Sequence, residues 1–117
     1  MNTSYPDTYK YYAEQMQELG KRLGGPMAGF GQLHEASVAG GALSSKMKEL
    51  IALSIGITVR CNGCIAYHVH DALKAGATNQ EVLETIGVAV LMGGGPSVIY
   101  GIAAMEAVDQ FEKEGLD

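Results

Sequence analysis

A chain of 117 residues with 47% hydrophobic and 18% charged side chains has enough apolar surface for one folded domain spanning residues 1–117, and too little charge for a disordered one. Its formal net charge of -5, from 8 basic and 13 acidic residues, provides no electrostatic footprint for a polyanion, so nucleic acid is excluded as an expected partner. Its only two cysteines, Cys61 and Cys64, sit three positions apart, which excludes the spread disulfide framework of a secreted mini-protein.

The first segment, from about Pro6 to Leu19, places Tyr9, Tyr12, Ala13, Met16 and Leu19 at helical spacing along one apolar face. Gly20 and then Gly24-Gly25 are expected to end that helix. No basic region precedes an apolar run at Met1 to Asp7, so a signal peptide is not expected and the cytoplasm is the default location. A weaker helical segment runs from about Pro26 to Ala39 and stops at Gly40-Gly41.

Ser44 or Ser45 offers a capping oxygen for a third helix, which continues to about Val59. Leu50 to Ile57 is nearly all apolar, so this helix should be central and covered on most sides. Glu49 lies on it and needs either the remaining exposed face or a specific partner.

A fourth helix starts near Cys61 and terminates at Gly76, with Lys74 complementing the C-terminal dipole. Thr78 and Glu81 form a capping-box pattern that starts a fifth helix, about Asn79 to Met92. Pro96 suits a first helical position and opens the last helix, to about Glu114. The uncharged run from Thr85 to Met105 approaches a membrane-spanning length, but Gly93-Gly94-Gly95-Pro96 divides it, so two buried helices are expected instead of a span. No segment alternates with a period of two. The fold class is therefore all-α, with about five to six helices.

The chemistry concentrates in Cys61-Asn62-Gly63-Cys64-Ile65-Ala66-Tyr67-His68. Residues three or four apart share a helical face, so Cys61, Cys64 and His68 align, with the sulfurs at the positive end of the helix dipole. A thiolate is favoured there, and His68 is one turn away to take its proton. A Cys-x-x-Cys closes into a small disulfide, and its second thiol can resolve a mixed disulfide formed by the first. Two other readings remain open. The pair could be buried as small apolar side chains, or Cys61, Cys64 and His68 could ligate a metal with a fourth ligand from His34, His70 or Glu49. Asp71 could orient His68, although a solvated helix position suits it slightly better. Tyr67 reads as packed, and His34 and His70 as surface or helix-face residues without catalytic duty.

Glu49, Cys61-x-x-Cys64, His68, the stretch Asp71-Ala72-Leu73-Lys74-Ala75-Gly76-Ala77-Thr78 and Glu81-Val82 together resemble the carboxymuconolactone decarboxylase superfamily, and more narrowly its alkylhydroperoxidase D-like branch. The similarity spans roughly residues 44 to 92. It implies an all-helical bundle that assembles as a homo-trimer or homo-hexamer and reduces hydroperoxides or disulfides with electrons from an external thiol or disulfide reductant. No cofactor and no resident metal are expected on this reading. Carried over, Cys64 attacks first, Cys61 resolves, and His68 with Glu49 relays the proton. Peroxidase members of this branch place a histidine just before the second cysteine, where this chain has Gly63. Decarboxylase members lack the cysteine pair. A lyase using His68 and Glu49, or a non-enzymatic oligomer holding a metal or ligand, are the alternatives.

Overall fold

The structure, a computed structural model, describes residues 3–117. Six helices follow one another: α1 (Tyr5–Leu23), α2 (Gly25–Val38), α3 (Ser45–Thr58), α4 (Asn62–Lys74), α5 (Asn79–Gly93) and α6 (Gly95–Glu114), with no strand among the described residues. Most boundaries fall where the capping chemistry placed them. Ser44 accepts from Met47 N–H at the start of α3, and the reciprocal Thr78/Glu81 capping box opens α5. At the end of α4, Ala77 N–H reaches Ala72 O and Gly76 N–H reaches Leu73 O, the paired bonds of a Schellman termination.

One stop is misplaced in the sequence reading. Gly20 lies inside α1, and the helix ends at Gly24, whose φ of 68° only glycine adopts cheaply. A single glycine costs a helix about 1 kcal/mol, too little to break a segment carrying a good N-cap at Ser4 and basic residues in its last turn.

The core lies where α3, α4, α5 and α6 meet and is built on Leu53, Ile57, Ile65, Val69, Val82 and Val108, all fully buried. Each contributes about 1.5–3 kcal/mol by leaving water. α1 packs its first turns on α4 and α6 and is tied down where Tyr5 N–H donates to Gln110 Oε1 (2.7 Å) while Gln110 Nε2 donates to Thr3 O (2.8 Å).

Two burial expectations need correction. α3 is central, but Met47, Ile51 and Ile55 on its outer face are exposed. α5 and α6 are not covered on all sides either: Leu91 is 80% and Met92 77% exposed, and Val88, Ile99, Ile102 and Met105 are exposed as well. α4 packs against α1, α3 and α6, but a chain this short has no further layer to put over the outer faces of α5 and α6. No described helix is long and apolar enough to cross a membrane.

Candidate active site

The turn between α3 and α4 sets the site. Cys61 N–H bonds to Gly56 O and Arg60 N–H to Ile57 O, another Schellman arrangement, with Arg60 in the left-handed position at φ 61°. This reversal makes Cys61 the N-cap of α4, where its sulfur accepts from Cys64 N–H at 3.2 Å. The sulfurs of Cys61 and Cys64 lie at disulfide distance, with their Cα atoms 5.2 Å apart. Both occupy the first turn of α4, beside its unpaired N–H groups and the positive end of its dipole.

Glycine makes two close approaches possible. A Cβ on Gly56 would stand 3.2 Å from Cys64 Cβ, so α3 can lie against the cysteine turn. A Cβ on Gly63 would stand 3.1 Å from the Tyr12 ring, which places α1 over the residue between the sulfurs. Helical spacing places Tyr12 on the apolar face of α1 and gives no sign that it covers this turn.

One helical turn past Cys64, His68 projects from the same face of α4. Its Nδ1 is 2.8 Å from Glu49 Oε1, and Glu49 is only 5% exposed. The partner that Glu49 required on an apolar helix is thus His68. A carboxylate only accepts hydrogen bonds, so Nδ1 carries the hydrogen and Nε2 of the neutral ring holds the lone pair. The four residues singled out in the sequence thus come from two adjacent elements, α3 and the start of α4.

Asp71 takes neither of its expected positions. It is half-buried and pairs with His70, not with His68: Asp71 Oδ1 is 2.8 Å from His70 Nδ1. His70 is not a surface residue. It is 3% exposed, stacks on Tyr9 with ring centroids 3.7 Å apart, and its Nε2 lies 2.8 Å from Leu116 O, within hydrogen-bond distance. With both ring nitrogens engaged, His70 is unsuited to be a metal's fourth ligand. The imidazole instead stitches the end of the chain to α4. Its apolar neighbours Val69 and Ala72 were the available hint of burial.

Tyr67 is packed, as expected, against Tyr9 at a centroid distance of 4.9 Å. Burial, and after it the negative charges of Asp71 and Glu49, push its phenol above the usual range. Tyr9 is raised in the same way, by burial first and then by Asp71 and Tyr67. The ground behind the cysteine turn is therefore acidic. His34, from α2, also arrives there: one donor atom each from His34, Glu49 and Asp71 lie within 4.8 Å of one another. Nothing in the local pattern around His34 indicated this approach across helices.

The model of the carboxymuconolactone decarboxylase family matches residues 26–107. The chain belongs to that family. A protein of Cupriavidus necator, itself uncharacterised, is 30% identical over 95 residues, covering 81% of this chain and 84% of the relative. An uncharacterised protein of Haemophilus influenzae is 33% identical over 107 residues, covering 92% and 95%. Among solved structures, a carboxymuconolactone decarboxylase family protein from Legionella pneumophila superposes with a TM-score of 0.87 at 40% identity, covering 92% of this chain and 96% of that one. A family protein from Thermotoga maritima, proposed to take part in an antioxidative response, has a TM-score of 0.78 at 26% identity, with coverage of 93% and 96%.

Proposed function

We propose that the protein is a thiol-dependent antioxidant oxidoreductase that reduces a hydroperoxide or a small disulfide by cycling Cys61 and Cys64. The observation that carries this reading is the pair of sulfurs in the first turn of α4 with the His68–Glu49 hydrogen bond one turn behind them. The antioxidative role proposed for the Thermotoga maritima relative is consistent with it.

In the forward half-cycle, His68 Nε2 takes the proton of Cys64, and the thiolate attacks the distal peroxide oxygen. The O–O bond breaks, an alcohol leaves with the proton returned by His68, and Cys64 becomes a sulfenic acid. The Cys61 thiol then attacks that sulfur, releasing water and forming the disulfide. An external dithiol, oxidised in turn, restores both thiols. Glu49 holds the Nδ1–H tautomer throughout and stabilises the transient imidazolium. The chain's own residues carry the oxidative steps, the external dithiol supplies the two electrons of the return, and the compartment this cycle suits is the reducing cytoplasm.

Self-association belongs to the same reading. Ile55 of α3, its C-cap Val59, and Val88 and Met92 of α5 line one apolar cleft, and with the other exposed apolar residues of α5 and α6 they offer surface of the kind that a second copy covers. A homo-trimer or homo-hexamer is expected, and a monomer in light scattering at micromolar concentration would contradict it.

The test is consumption of a hydroperoxide in the presence of a dithiol reductant, with Cys64→Ser as the comparison. Activity dependent on Cys64 supports the reading. A lyase working through His68 and Glu49 alone would instead survive replacement of both cysteines.

A further inference from the structure

Behind the cysteine turn, three helices converge on a group of side chains that the dithiol cycle does not use as a group. We propose that His34 of α2, Glu49 of α3 and Asp71 of α4 form a binding site for one divalent cation of the zinc class, distinct from the cysteine pair. Their donor atoms already lie within 4.8 Å of one another, so small side-chain movements bring them to metal–ligand distances of about 2.0–2.2 Å.

A second observation points to a ligand independently. His34 Nε2 is buried and has no hydrogen-bond partner, the one such side-chain atom found among the described residues. Buried polar atoms are ordinarily satisfied, so an orphaned imidazole nitrogen on a side chain already grouped with two carboxylates points to a missing partner.

The carboxylates are also braced as ligands should be. Glu49 Oε1 is held by His68 Nδ1, and Asp71 Oδ1 by His70 Nδ1, each at 2.8 Å, leaving the second oxygen of each for a cation. His70 is itself fixed by Leu116 O and by stacking on Tyr9. Such outer hydrogen bonds orient ligating groups before the metal arrives. One imidazole and two carboxylates suit a borderline cation such as zinc, whereas calcium prefers six or more oxygens, and three protein ligands leave room for water.

The proposal goes beyond the dithiol reading and does not depend on it, because neither sulfur is a ligand; Glu49 is the one residue the two share. The experiment uses the full chain with the Cys61–Cys64 disulfide closed, so that no thiolate competes. Equilibrium dialysis against zinc followed by elemental analysis should find one zinc per chain, and cobalt titration of the same protein should develop visible absorption that saturates at one equivalent. His34→Ala and Asp71→Asn should each weaken binding at least about tenfold, with far-UV circular dichroism confirming that the helices are intact. The Cys61→Ser/Cys64→Ser double variant should bind as the parent does. Absence of stoichiometric zinc or cobalt in the parent protein overturns the site without recourse to any variant. Binding unchanged in either His34→Ala or Asp71→Asn, or lost in the double cysteine variant, overturns it as well.

Discussion

His68 Nδ1 and Glu49 Oε1 lie 2.8 Å apart across the α3–α4 contact, and this one bond joins a buried carboxylate to the only histidine one turn past Cys64. With the Glu49 carboxylate as acceptor, Nδ1 carries the hydrogen and Nε2 is the nitrogen left for the proton transfer proposed above. His68→Gln should therefore slow peroxide-driven thiol loss by about 10²- to 10⁴-fold, the usual contribution of a positioned acid–base group. Glu49→Gln acts through the ring and should slow it less. Stopped-flow measurement of thiol loss in the two variants checks the order; equal rates in parent and His68→Gln would remove His68 from the mechanism.

A Cβ at Gly63 would press on the Tyr12 ring at 3.1 Å, closer than ordinary van der Waals contact. Alanine is a better helix former than glycine by up to about 1 kcal/mol, so Gly63→Ala would be stabilising if space allowed. Here it should destabilise the protein, and in a Tyr12→Ala background the sign should reverse. A double-mutant cycle by urea denaturation measures that coupling directly.

Arg60 holds a left-handed conformation that an L residue adopts at a cost of about 1–2 kcal/mol. Replacing it with glycine relieves that cost but loosens the unfolded chain, which offsets about 0.4–1 kcal/mol. Arg60→Gly should thus raise stability by roughly 0.5–1 kcal/mol. For a chain of this size, that corresponds to a rise in Tm of about 2–6 °C. A fall in Tm would show that Arg60 has a compensating contact.

The Glu81 carboxyl is held below its ordinary range, first by the hydrogen bond from Lys46 Nζ at 2.9 Å and next by the Thr78 backbone N–H at 2.9 Å. A carboxylate whose folded pKa is depressed contributes stability that is fully present above the unfolded value of 4.5 and lost as pH falls through the folded value. The Tm deficit of Glu81→Gln at neutral pH should accordingly shrink at about pH 3. A deficit independent of pH would mean that charge plays no part in this link between α3 and α5.

The helices and the site were legible to different degrees. Caps are local, so Ser44, Thr78 with Glu81, and Gly76 each announced a boundary within a few residues. Gly20 misled because a lone glycine reads as a stop, although its cost is smaller than the support from the rest of α1. Cys61, Cys64 and His68 were legible because helical spacing alone aligns them. Glu49 was legible as a charge lacking a partner on an apolar helix, and the family resemblance gave it one. His34 and Tyr12 were not, because their places depend on how α2 and α1 cross the bundle, which no short-range pattern encodes. Asp71 and His70 pair as sequence neighbours because α4 turns His70 inward toward Tyr9 and Leu116, an orientation that tertiary packing decides.

The central claim is that Cys61 and Cys64 together take two electrons from one hydroperoxide. Free thiols titrated on the fully reduced protein before and after one equivalent of hydroperoxide test it most directly. The account predicts loss of both thiols in each chain, reversed by a dithiol and abolished in Cys64→Ser. Retention of both thiols after that equivalent would contradict it.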